Sequence, residues 1–140
     1  MRFVTISAVA LASFAAAACG GSSSEDTAKT TVCNARADIS KQVDQLKALT
    51  PATFTTEAAS KSLSAIRSDL NDIKGAQSDL SDDRRQQVQQ ANQQFAGKVQ
   101  DLVKQVFRST SAADAKSQMT AGFQDLANTY KQTYARVDCS

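Results

Sequence analysis

The chain contains no histidine, so the commonest general base and the commonest imidazole metal ligand are both missing. Three other residue sets could do chemistry. The first is acidic: Asp69, Asp72, Asp79, Asp82 and Asp83. Calcium takes about six to eight oxygens from a tight loop, but Leu70 stands where an EF-hand would place an Asp five residues before Gly75. Asp69 and Asp72 fall one helical turn apart, and Asp82 and Asp83 suit a helix start. No metal and no cofactor is expected. The second set is the run Gln86-Gln87-Val88-Gln89-Gln90-Ala91-Asn92-Gln93-Gln94. Its amides both donate and accept, which suits a polysaccharide or a protein partner. Gln is also a good helix former, and a neutral solvated face is the plainer role. The third set is Tyr130 and Tyr134, one turn apart, with Lys131 and Arg136 nearby. Such a pair can hold a sugar or an anion. The more economical expectation is that the rings complete an apolar stripe while the hydroxyls reach the surface. Phe54, Phe95, Phe107 and Phe123 are read as core by the same logic. The candidate binding face is therefore Gln86, Gln90, Gln93, Tyr130 and Tyr134.

Catalysis finds no support. No Ser-x-x-Lys, Gly-x-Ser-x-Gly, Cys-x-x-Cys or glycine-rich phosphate loop occurs, and nothing activates a Ser or Cys nucleophile in the usual way. The formal net charge is only +2. A balanced chain lacks the basic face that nucleic acid requires and the cationic cluster that anionic lipid attracts.

Three cysteines, Cys19, Cys33 and Cys139, leave an odd count. The first follows a leader: Met1-Arg2, an apolar run from Phe3 to Phe14, then Ala15 to Ala18. The apolar run is too short for a bilayer core, which needs about 20 residues. Residues 1–18 therefore read as a secretory signal peptide. Ala16-Ala17-Ala18-Cys19, followed by Gly20-Gly21-Ser22-Ser23-Ser24, resembles the lipobox of bacterial lipoproteins. The resemblance implies a mature chain that begins at Cys19 and carries lipid on that residue's sulfur and amine. Two or three acyl chains make a stable anchor. The protein would then sit on the extracytoplasmic side of the cell membrane or outer membrane. Acylation of Cys19 would leave Cys33 and Cys139 as an even pair in an oxidising compartment, where a disulfide is expected. Beyond the leader, the chain is broadly similar to small helical lipoproteins of bacterial envelopes.

Residues 19–28 read as the lipidated cysteine and a Gly/Ser-rich tether, and residues 29–140 as one helical domain. The first helix is expected from about Thr30 to Leu49, with Val32, the stem of Arg36, Ile39, Val43, Leu46 and Leu49 on one face. Pro51 ends it. In the second, Ala59, Leu63, Ile66, Leu70 and Ile73 form a heptad seam. Gly75 weakens that helix, and Ser81-Asp82-Asp83 signals a fresh start. A single fused helix, giving a three-helix bundle, is the alternative. Val88, Ala91, Phe95, Val99, Leu102 and Val106 form the third stripe. Ser111 and Asp114 suggest a cap for the fourth helix. Its stripe, Ala115, Met119, Phe123, Leu126, Tyr130, Tyr134 and Val137, runs almost to Cys139. The fold class is thus all-α, an antiparallel up-down-up-down four-helix bundle. That connectivity brings Cys33 and Cys139 to the same end.

These features predict a lipid-anchored cell-envelope protein, not an enzyme, acting as a binding or scaffolding module. Its partners would be the membrane, through the anchor, and an envelope protein or cell-wall polymer. The alternative is a carrier of an apolar ligand. That would require a cavity above about 300 Å³, lined by Phe95, Phe123 and Tyr130.

Overall fold

Four α-helices follow from the four apolar stripes. The computed structural model describes residues 23–108 and 113–140. The leader, Cys19 and the Ser111 cap lie outside the described residues. The helices are α1 (Ser24–Lys47), α2 (Thr56–Ala76), α3 (Asp82–Arg108) and α4 (Ala113–Gln132). Among the described residues there is no strand. α1 packs on α2 and α4, and α3 packs on the same two helices. Consecutive helices run antiparallel and close a four-membered ring around one core.

α1 begins earlier than the tether expectation allowed. Residues 24–28 are helical, because local chemistry at the start outweighs their polar composition. The Ser23 hydroxyl accepts from the Asp26 N–H at 3.2 Å. Glu25 and Asp26 place carboxylates over the positive helix end. Ala28 is buried. The boundary of the domain therefore moves from residue 28 to residue 23. The buried stripe of α1 is Ala28, Val32, Ala35, Ile39, Val43 and Leu46, so Ala35 takes the place expected of the Arg36 stem.

α2 starts at an N-cap, with the Thr55 hydroxyl accepting from the Ala58 N–H at 3.1 Å. All five seam residues, Ala59 to Ile73, are buried. Gly75 stays inside the helix. The break follows it, as a 3-10 turn over Gln77–Asp79 and extended backbone at Leu80. Leu80 is buried and plugs this end of the core. The Arg85 N–H then donates to the Ser81 carbonyl at 2.8 Å to open α3. Helices two and three are therefore separate, and the three-helix alternative does not form.

α4 stops at Gln132, short of the continuous helix expected to reach Cys139. Thr133 bonds back to the preceding turn through its hydroxyl, 2.8 Å from the Thr129 carbonyl, a pattern that bends helices. The chain continues as a 3-10 turn, Tyr134–Arg136, and then an extended Val137. We call the end holding this tail the clamped end, and the end holding the 48–55 loop the loop end. At the loop end Phe54 packs on Phe123, with ring centroids 6.2 Å apart. Phe107 departs from the core expectation, being 73% exposed. It follows the buried Val106 by one residue, about 100° around the helix, which turns it outward.

Candidate functional site

The clamped end is assembled from short, specific interactions. Cys33 and Cys139 bring their sulfurs to bonding distance, with Cα atoms 5.8 Å apart across 106 residues of sequence. Two further bonds hold the tail on α1, and a third ties α4 to it. Lys29 Nζ donates to the Ser140 carbonyl, and the Arg36 guanidinium donates to the Val137 carbonyl. The Tyr130 hydroxyl donates to the Arg36 carbonyl at 3.1 Å. The Asp138 carboxyl lies below the usual carboxylate range, chiefly because the Ser140 hydroxyl and N–H donate to it and secondarily because Lys29 and Arg84 lie near. Glu25 joins α1 to the start of α3, accepting from the Ser81 N–H at 3.3 Å and pairing with Arg84 at 3.5 Å.

Tyr134 is fully buried, and burial pushes its phenol pKa upward. Its hydroxyl donates to Asn92 Oδ1 at 2.8 Å. Its ring meets Phe95 edge-on at 5.6 Å and stacks near Tyr130 at 6.3 Å. Phe95 and Tyr130 meet edge-on at 6.0 Å. The two tyrosines therefore complete the core, and Tyr134 presents nothing to a partner. The Tyr134 hydroxyl does not reach the surface as expected, and both hydroxyls find partners within the chain. Tyr134 is corrected out of the candidate face on this ground, while Tyr130 is part-buried against the core.

The amides behave differently. Gln86, Gln90 and Gln93 lie exposed on the outward side of α3, with Gln89 and Gln94 beside them. No side chain in this group of five makes a hydrogen bond to another described residue. Gln87 leaves the group, reaching the Arg136 carbonyl at 3.5 Å. The inward residues of the same helix, from Val88 to Val106, are buried at every stripe position. One helix thus carries a filled core seam on one side and free amides on the other.

The acidic set splits up. Asp69 is part-buried between α1 and α2, and its pKa rises, chiefly through burial and then through the neighbouring charges of Asp38 and Asp72. Among the described residues, no three His, Cys, Asp or Glu side chains gather closely enough to hold a metal ion. A surface groove of about 570 Å³ runs between the start of α1 and the end of α2, lined by Thr27, Thr31, Asn71 and Gly75 among others. It lies apart from the aromatic cluster. Phe95 and Phe123 have no exposed surface and pack against neighbouring rings.

Sequence reasoning missed two residues that matter here. By composition Asn92 belongs with the solvated amides, yet it serves the buried Tyr134. By period Arg36 offers only an apolar stem, yet its guanidinium holds the tail. The periodicity of α3 carries a signal for Asn92, since that position flanks the buried Ala91 and Phe95. In comparisons with known proteins, no family model, no curated protein and no solved structure matches the chain. Among the described residues, no helix is long and apolar enough to cross a membrane.

Proposed function

We propose that the protein is a lipid-anchored component of a bacterial cell envelope. In this reading it is a non-catalytic binding or scaffolding module that offers the outward face of α3 to another envelope component. The observation that carries the binding role is the amide group itself. Gln86, Gln90 and Gln93 are exposed, and their donors and acceptors are left to solvent or a partner. The supporting frame is rigid, with a filled seam behind the face and a clasped terminus beside it. The anchor rests on the leader and on the lipobox-like Ala16-Ala17-Ala18-Cys19. The short stretch from Cys19 to Ser24 would hold the clamped end near the membrane.

One experiment tests both halves. The full chain is expressed in a bacterial host, fractionated, and its intact mass is read before and after reduction. A chain beginning at Cys19 with added acyl mass, recovered with membranes, is the expected result. Unmodified mass in the soluble fraction would remove the anchor. The same preparation is then tested for retention on purified envelopes, alongside a variant carrying Gln86→Glu, Gln90→Glu and Gln93→Glu. Equal retention of the two proteins would remove the face.

A further inference from the structure

Of the three helical glycines among the described residues, Gly75 has open space around it in the last turn of α2, next to the break, and the other two have opposite explanations. Gly122 faces Leu102, and a Cβ there would come within 2.6 Å of Leu102 Cδ2. It is needed where α4 approaches α3. Gly97 sits in the interior of α3, exposed, and a Cβ there would meet nothing within 4 Å. An interior helical Gly costs about 1 kcal/mol relative to Ala, and no contact among the described residues accounts for this one. What a bare backbone position does allow is close approach from outside.

Gly97 also lies at the centre of the outward stripe of α3. Stepping by three and four, that stripe is Gln86, Gln90, Gln93, Gly97, Asp101, Lys104 and Arg108, all exposed. The steps read four, three, four on either side of Gly97, so the stripe maps onto itself when turned end for end. Its two halves differ in charge. From Gln86 to Gly97 no residue is charged, and Asp101, Lys104 and Arg108 follow. Lys98 is drawn away to Asp125 on α4 at 2.6 Å.

We infer that this face pairs with the same face of a second copy of the chain, the two α3 helices crossing antiparallel at Gly97. This names the partner for the binding face proposed above and rests on that reading. A two-fold axis at Gly97 sets Gln93 opposite the partner's Asp101, Gln90 opposite the partner's Lys104, and Gln86 opposite the partner's Arg108. Amides then hydrogen-bond to charged groups, which are stronger partners than neutral ones. No like charges meet. A parallel pairing would set Lys104 on Lys104. Two-fold symmetry also makes every contact occur twice. A patch limited to one helix face sits at the small end of specific interfaces, so the pair is weak and reversible.

The register makes a test that composition alone cannot mimic. The double variant Gln90→Glu with Gln93→Lys places each new charge opposite its complement. The double variant Gln90→Lys with Gln93→Glu adds the same two charges opposite like charges. Sedimentation velocity of the full chain in detergent, over a concentration series, reads self-association. Non-reducing gels exclude a covalent dimer, and circular dichroism confirms that these surface changes leave the fold intact. The expected result is tighter pairing of the first variant and weaker pairing of the second, a difference of about tenfold or more in dissociation constant. Gly97→Leu weakens pairing as well. Equal behaviour of the two double variants, or a monomer at every concentration, overturns the pairing. Should a different envelope component bind this face of a monomer, self-pairing fails while the binding reading survives. Loss of both self-pairing and envelope retention removes the two together.

Discussion

The two ends of the bundle are held by different physics. At the clamped end a disulfide, the bonds from Lys29 and Arg36 to the tail, and the Tyr134–Asn92 bond tie the chain's last residues to α1 and α3. At the loop end the described residues offer an apolar plug and one long polar bond, from the Gln124 amide to the Lys47 carbonyl at 3.5 Å. Phe54 is buried against Phe123, and a small network of Thr50 and Thr53 shapes the turn before it. The first end is specified by directional bonds between residues distant in sequence. The second is specified mainly by burial and by contacts within a few residues, with one long-range bond at the limit of hydrogen-bond distance. The ends should therefore fail in different ways, and substitutions can separate them.

The largest effect is expected at the clamp. Cys33→Ala with Cys139→Ala opens a loop of 106 residues, and loop-closure entropy puts the loss at about 4–5 kcal/mol. Urea titrations of the wild type and variant measure it, and reduction of the wild type should reproduce the shift. A loss under about 1 kcal/mol would mean that the polar bonds hold this end unaided. Next comes the plug: Phe54→Ala should cost about 3 kcal/mol. Hydrogen exchange should then rise first at the loop end, with the clamped end still protected. Uniform loss of protection would erase the distinction between the ends.

Tyr134→Phe keeps the ring and removes the hydroxyl that serves Asn92. The expected cost is about 1–2 kcal/mol, because a part-buried acceptor loses its donor. Following this with Asn92→Leu should recover part of the loss in a double-mutant cycle; strict additivity would show the pair uncoupled. Thr55→Ala, at the entry to α2, should cost about 1 kcal/mol through the lost N-cap.

The smallest expected effect lies between the ends and has the opposite sign. Burial and the neighbouring Asp38 and Asp72 raise the Asp69 pKa in the folded chain. A raised folded pKa means that ionisation disfavours the fold, so the stability present at low pH is lost as pH rises through the carboxylate range. Asp69→Asn should then stabilise by about 0.5 kcal/mol or less at neutral pH. The gain should vanish in acid, where the wild-type carboxyl is already protonated. Thermal unfolding across pH checks the sign.

Much of this architecture is legible in the sequence because apolar periodicity survives every local choice. The seam residues of α2 and the inward stripe of α3 are all buried where spacing alone would put them. The misreadings at the two helix ends share one cause: a few local or long-range bonds overrode composition or period. Ser23, Glu25 and Asp26 start a helix in a stretch whose residues resemble a linker. Thr133 and the tail's bonds to α1 end a helix whose stripe would have continued. Phe107 falls just past the end of its stripe and turns outward. At the candidate site, the amides' exposure follows from the same period that buries Val88 and Phe95. The fate of Tyr134 does not, since its partner Asn92 lies 42 residues away in sequence.

The crosslink has a mechanical consequence as well. From Cys33 to Cys139 the covalent chain is a closed ring, and α1 extends from it as a short handle, Ser24 to Val32. Tension applied through the handle can peel only those first turns before it reaches the sulfur bridge. Beyond that point residue 33 is tied directly to residue 139, and further extension would require the folded ring itself to yield. A protein moored at its N-terminal side would thus yield by a fixed, small extension and then hold.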